Sequence, residues 1–119
     1  MKILIVDDSR AMRTIVKRHV AQAGFDAAEI VEAENGRDAL DAIRASAPDV
    51  VLSDWNMPEM TGIELLEALR AEGVTVPLGF VTSESSPDFK ERAFDAGAAF
   101  MITKPFGAED FTRCLAPFM

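Results

Sequence analysis

Cysteine is almost missing from this 119-residue chain: Cys114 stands alone. A single thiol excludes an intramolecular disulfide and fits a reducing compartment. Its flanks, Phe111-Thr112-Arg113 and Leu115, read as helix without metal-ligand spacing, so Cys114 is expected to be a small buried hydrophobe. Histidine is equally scarce, and His19, on an expected first helix, suits a surface or boundary position rather than catalysis. Positive charge is also short. Twelve Lys and Arg stand against twenty Asp and Glu, for a formal net charge of -8. That balance argues against nucleic acid or an anionic membrane as a direct partner, and suits a metal cation or a protein with a basic patch. Long apolar runs are absent as well. Ile3 to Val6 is cut short by Asp7 and Asp8, too early for a signal peptide or a membrane span, so a cytoplasmic protein is expected. The 49% apolar content is that of a folded protein, and residues 1–119 are expected to form one domain around one core.

What the chain does contain is a repeating order of elements. Lys2 to Val6 is an apolar run without polar alternation, the mark of a strand buried on both faces. Asp7-Asp8-Ser9 can open a helix carrying Met12, Ile15, Val16, Val20 and Ala23 at helical spacing, with Gly24 at its end. Ala28 to Ala33 reads as a second strand and Asn35-Gly36 as a turn. A second helix follows with Ala39, Leu40 and Ile43 inward, closed by Pro48. Val50 to Leu52 is a third buried strand, ending on Asp54 before Pro58. Thr61-Gly62-Ile63-Glu64 is a capping box that starts a third helix, ending before Gly73. Pro77 to Val81 is a fourth strand, Ser86-Pro87 opens a helix that Gly97 ends, and Ala99 to Thr103 is a fifth strand. Gly107 to Ala116 is a short last helix. Five βα units predict a doubly wound α/β fold, a five-stranded parallel sheet with helices on both faces.

Ligands of such folds bind beyond the carboxyl ends of the strands. The chain's unusual polar residues fall there: Asp7 and Asp8 after the first strand, Asp54 after the third, Thr82 after the fourth and Lys104 after the fifth. Clustered carboxylates repel by roughly 3–4 kcal/mol per pair at about 4–5 Å and an effective dielectric near 20, so compensation is expected. Lys104 supplies one positive charge, and a divalent cation can supply the rest. Oxygen ligands without His or Cys favour Mg²⁺, or Mn²⁺, over Zn²⁺. An ionised carboxylate beside such a cation can attack phosphorus and form an acyl phosphate. Lys104 and the Thr82 hydroxyl are suited to the charge of the transferred group.

These residues resemble those of the receiver domains of two-component response regulators, over nearly the whole chain. The resemblance rests on Val6-Asp7-Asp8-Ser9, Asp54-Trp55-Asn56-Met57-Pro58 with Gly62, Val81-Thr82-Ser83-Glu84, and Lys104-Pro105-Phe106. Within the family, single-domain chemotaxis regulators share the Asp54 to Pro58 run. The resemblance implies a flavodoxin-like sheet of order 2-1-3-4-5. It implies that Asp54 is the phosphoacceptor, that Asp8, Asp54 and the Asn56 carbonyl bind Mg²⁺, and that Asp7 acts through a water. Lys104 would contact the phosphoryl group, Thr82 would turn inward to it, and the small Ser83 would leave it room. Asn56 and Glu84 would tune dephosphorylation, and Lys104-Pro105 would be cis. The chain would take its phosphoryl group from a histidine kinase or a histidine phosphotransfer protein. It would act as a monomer and a switch rather than an enzyme, and signal to a protein target through its fourth helix, fifth strand and fifth helix. Lys90, Phe100 and Met101 belong to that expected switch and partner surface.

The chain departs from the family pattern at Met101, where the switch aromatic usually stands. Phe100 precedes it, but strand alternation sends it to the opposite face. The last helix is short, with Gly107 in place of a Ser or Thr cap, and is expected to be among the least stable elements. Trp55, on a loop beside Asp54, is expected to be partly exposed. Glu29, Glu32 and Glu34 read as a solvated face. Met1 directly before the first strand favours a natural start, although a receiver excised from a larger regulator or hybrid kinase remains an alternative. A metal-dependent phosphatase with an aspartyl nucleophile would want Asp at position 56 and a substrate cap. A flavin mononucleotide binder would want a phosphate loop in place of Asp7-Asp8.

Overall fold

The computed structural model describes residues 1–118. The strands are β1 (Lys2–Val6), β2 (Glu29–Ala33), β3 (Val50–Ser53), β4 (Leu78–Thr82) and β5 (Phe100–Thr103). The helices are α1 (Arg10–Val20), α2 (Gly36–Ser46), α3 (Gly62–Ala71), α4 (Pro87–Asp95) and α5 (Ala108–Leu115). The strands form one parallel sheet in the order β2-β1-β3-β4-β5, the doubly wound arrangement expected.

Alternation along each strand divides the core into two layers. Leu4, Val6, Val51, Leu78 and Phe80 meet α2, α3 and α4 through Leu40, Ile43, Leu65, Leu66, Leu69 and Ala93. Ile3, Ile5, Val50, Leu52, Val81 and Ile102 meet α1 and α5 through Val16, Val20, Phe111 and Leu115. Both faces being covered explains why these strands read as continuous apolar runs. Met101 lies on the first layer and Phe100 on the second. The Phe100 ring lies across Gly79, where a Cβ would collide with it.

Side-chain caps start the helices. Ser9 Oγ accepts the Met12 N–H at 3.2 Å and Ser86 Oγ accepts the Phe89 N–H at 3.3 Å. The Thr61–Glu64 capping box is present in full. At α5, Gly107 has no side chain to offer, and Asp110 Oδ2 accepts the Gly107 N–H at 2.9 Å.

Two local expectations change, at Asn35-Gly36 and at Trp55. Asn35-Gly36 is a helix start rather than a turn: Asn35 Oδ1 accepts the Asp38 N–H at 2.8 Å, and Gly36 is the first residue of α2. Gly36 is needed there because a Cβ would lie 2.7 Å from the Met60 carbonyl oxygen. The first helix loses helical geometry at Gly24, φ 101°, as expected, although its last turn, from Ala21, has already loosened from α to π hydrogen bonding. α5 ends at Leu115, and Ala116–Phe118, with Pro117 at its centre, form a 3₁₀ turn. Trp55 is only 4% exposed, not a surface residue. Elsewhere Glu29, Glu32 and Glu34 are exposed, with Glu32 paired to Arg13 and Lys17. Cys114 is half-buried against the second layer, and burial pushes its thiol up. His19 is half-buried too, edge-on to Phe106 at 5.0 Å.

Candidate functional site

Register places the acidic residues. Val6 and Ser53 are partners across β1 and β3, so the residues that follow them, Asp7 and Asp54, leave neighbouring strands level with each other. Adjacent strands lie about 4.8 Å apart, so two carboxylates emerge side by side. Backbone bonds extend the ladder one residue past the strands. The Asp54 N–H donates to the Val6 carbonyl at 2.9 Å, and the Asp7 N–H to the Ala33 carbonyl at 3.1 Å. Across the sheet, Thr82 and Thr103 are partners, and the Lys104 N–H donates to the Thr82 carbonyl at 3.0 Å. The peptide bond from Lys104 to Pro105 is cis.

Asp7, Asp8 and Asp54 each offer a carboxylate oxygen within 4.8 Å of the others. Their environments differ: Asp7 is buried, Asp54 half-buried and Asp8 exposed. Burial is the largest influence on Asp7 and pushes its carboxyl up to about 6, opposed by the Ser9 N–H on Oδ1 at 2.9 Å. The charges of Asp54 and Asp8 add to the rise, and that of Lys104 works against it. Burial also raises Asp54, against the pull of the Trp55 N–H on Oδ1 at 2.8 Å and of the Lys104 charge, while Asp8 adds to the rise. Lys104 alone therefore leaves the cluster short of positive charge. Three hard oxygen donors, without a nitrogen or sulfur ligand in the group, fit a small divalent cation.

The remaining expected residues occupy distinct places. Thr82 is buried, and its Oγ1 accepts the Glu84 N–H at 3.2 Å. Glu84 is half-buried, while Ser83 and Asn56 are exposed on the surrounding loops. Lys90 is exposed on α4, and Met101 is half-buried. Phe100 is buried on the other face of the sheet, which removes it from the partner surface expected of it.

Gly62 packs the site from below. A Cβ there would collide with the Asp54 carbonyl oxygen and lie 2.7 Å from the Phe80 ring, while the Gly62 N–H donates to the Trp55 carbonyl at 2.8 Å. Arg13 escaped the sequence reading. Its guanidinium donates to the Asp7 main-chain carbonyl at 2.6 Å and to Glu32 at 3.0 Å, fixing the turn after β1. Its place one turn into an amphipathic helix gives no hint of that contact. Outside the cluster, Asp8 shares an open cleft with Glu34, Asn35, Asp38, Pro58 and Glu59, so the mouth is acidic too.

The family model of the response regulator receiver domain matches residues 3–116. Chemotaxis protein CheY of Pseudomonas aeruginosa is 41% identical over 111 residues, 92% of this chain and 88% of that protein. Chemotaxis protein CheY1 of Helicobacter pylori is 38% identical over 109 residues, 89% of this chain and 86% of that protein. The structure of chemotaxis protein CheY4 of Vibrio cholerae is similar with a TM-score of 0.85 at 35% identity, covering 99% of this chain and 98% of that one. No helix among the described residues is long and apolar enough to cross a membrane.

Proposed function

Because the chain belongs to the response regulator receiver domain family, we propose that it accepts a phosphoryl group on Asp54 and passes that state to a protein partner. The donor is the phosphohistidine of a histidine kinase or a histidine phosphotransfer protein. The observation that carries the reading is the level exit of Asp7 and Asp54 from neighbouring strands, with Asp8 completing a group of carboxylate oxygens within 4.8 Å.

Asp54 Oδ1 is engaged by the Trp55 N–H, which leaves Oδ2 to attack phosphorus. As the phosphorus–Oδ2 bond forms, the bond from phosphorus to the donor imidazole nitrogen breaks, and the imidazole leaves with that electron pair. Asp7, Asp8 and Asp54 would hold Mg²⁺, with Mn²⁺ as a substitute, and the Asn56 carbonyl is assigned to the same cation. The cation supplies neutralisation of the charge gathered at the rim. Lys104, whose charge acts on both Asp7 and Asp54, is assigned to the phosphoryl oxygens. Thr82 is assigned as their hydroxyl donor and exchanges its present role as acceptor from Glu84. Ser83 leaves the entrance open, and Asn56 and Glu84 are placed to order a water that hydrolyses the acyl phosphate.

Receiver domains of this CheY-like kind are signalling proteins that turn over no separate substrate, and that role is assigned here, in the cytoplasm, to a monomer. The relatives are named chemotaxis proteins, and a chemotaxis pathway is the reading adopted for the output. The outward face of α4, with Lys90, and the edge at Met101 are the partner surface. Incubation with acetyl phosphate and Mg²⁺ should add one phosphoryl group by intact mass, and Asp54→Asn should abolish it. Equal labelling of that variant would overturn the assignment.

A further inference from the structure

Trp55 is the residue after the phosphoacceptor, and it is joined to two parts of the molecule at once. Its N–H donates to Asp54 Oδ1 at 2.8 Å. Its indole is enclosed by Phe80 of β4 at 4.9 Å and by Phe89 of α4 at 4.9 Å, the latter near edge-to-face at 70°. The guanidinium of Arg92, one turn further along α4, stands over the same ring at 6.0 Å. Arg92 also acts on Glu64, whose carboxyl is held below its usual range chiefly by the Thr61 N–H and hydroxyl, with Arg92 a smaller contributor. Phe80 belongs to the sheet, whereas Phe89 sits in the first turn and Arg92 in the last turn of a helix that follows an irregular loop, residues 83–86. Aromatic and cation–π contacts with a buried ring are directional. Trp55 is therefore a short bar, with the reacting carboxylate at one end and α4 at the other.

We propose that Phe89 and Arg92 are positioning residues for Asp54: by clamping the Trp55 indole they hold its N–H on Asp54 Oδ1, and so couple the seating of α4 to the phosphorylation state. The proposal rests on Asp54 being the phosphoacceptor. In the free protein Oδ1 shares a full negative charge, and its hydrogen bond is charge-assisted. Once Oδ2 carries phosphorus, Oδ1 becomes the carbonyl oxygen of a neutral acyl group, and the bond from the Trp55 N–H weakens. The two states of Asp54 thus differ in how firmly they hold Trp55, and α4 rests on Trp55. The coupling runs through a contact that exists only where α4 carries these two side chains. It does not require an aromatic residue at position 101, where this chain has Met101.

Two measurements on the full chain test this. In the unphosphorylated protein, the Trp55 amide proton should move upfield in Phe89→Ala/Arg92→Ala, and move back towards the wild-type position in Phe89→Tyr with Arg92 restored. An unmoved amide proton would overturn the clamp whether or not the protein can be phosphorylated. After acetyl phosphate and Mg²⁺, with the extent read by intact mass, amide hydrogen exchange across residues 87–95 should change by about fivefold or more in wild type. In the double variant at equal phosphorylation it should change less than about twofold. The milder Phe89→Leu/Arg92→Gln should show the same loss and serves if the double alanine variant is unfolded. Phe94→Ala, on the exposed side of α4, should keep the full response, separating the clamp from general loosening of the helix. A wild-type response in the phosphorylated double variant would overturn the coupling. No mass gain in wild type would instead overturn the phosphoacceptor reading and leave the amide-proton result to decide the clamp.

Discussion

Replacing Asp7 by Asn keeps the oxygen that accepts the Ser9 N–H and removes the charge. In the folded chain the Asp7 carboxyl is raised from 3.8 to about 6, with burial the main cause. That is about two pH units at 1.36 kcal/mol each, or about 3 kcal/mol against the folded state when the group is ionised. The direction follows from proton binding. Between the unfolded and folded values the native state holds more protons, so stability falls as pH rises from about 4 to about 6 and stays lowered above 7. The Ser9 contact is already counted in that shift. Asp7→Asn should therefore unfold at higher urea at pH 7.5 in EDTA, by about 3 kcal/mol. The gap between the two proteins should close as pH falls to about 4. Taking the difference at each pH cancels the other carboxylates. Millimolar Mg²⁺ should narrow the gap from the other side, because a cation bound by the native cluster stabilises wild type more than the variant. Equal or lower stability of Asp7→Asn at pH 7.5, or a gap that does not depend on pH, would refute the account of Asp7 as a buried and incompletely neutralised carboxylate.

The backbone carries further tests. Gly62→Ala should cost about 2–3 kcal/mol in urea unfolding and also slow labelling of Asp54, because the new Cβ meets the Asp54 carbonyl oxygen and the Phe80 ring, neither free to retreat. Ala47 ends α2 in the left-handed region, at φ 45° and ψ 65°. Ala47→Gly should raise the melting temperature slightly, the relief of about 1–2 kcal/mol exceeding glycine's added chain entropy of about 0.5–1 kcal/mol. Ser86→Ala removes the oxygen that caps the Phe89 N–H and should lower stability by about 1 kcal/mol, with faster amide exchange confined to α4.

The doubly wound sheet was legible because strands covered on both faces read as apolar runs, as β1, β3, β4 and β5 do, and the edge strand β2 still shows Ile30 and Val31 between two helical stretches. The rim was legible for a related reason. A run that ends abruptly on a carboxylate places that carboxylate at the strand end, and parallel strands bring their ends together. What could not be read was which neighbour is buried. The apolar pattern alone does not tell Asp7 from Asp8 in burial, since both follow directly on β1. In the fold Asp8 is exposed and Asp7 carries the burial. Asn35-Gly36 misled because the pair is a strong turn signal, yet Asn is also a strong helix cap, and Gly36 is required by Met60, which lies far along the chain. Trp55 misled because a loop tryptophan is buried only if some other element crosses it. That element is α4, and nothing in the local sequence records the crossing.

Asp54 itself shows what the surrounding backbone contributes. Its N–H is committed to Val6, its carbonyl oxygen accepts the Ser53 hydroxyl at 2.8 Å, and its Oδ1 accepts the Trp55 N–H. Oδ2 has no hydrogen-bond partner among the described residues. The side chain is thus presented in one orientation, with Oδ2 free. Orientation fixed in advance lowers the entropic cost of reaching an in-line geometry. The atom that fixes it, the Trp55 N–H, belongs to the residue gripped by α4. If Asp54 is the phosphoacceptor proposed above, its orientation and the seating of α4 share one hydrogen bond, and a partner that pulls on α4 is expected to change the rate of Asp54 labelling.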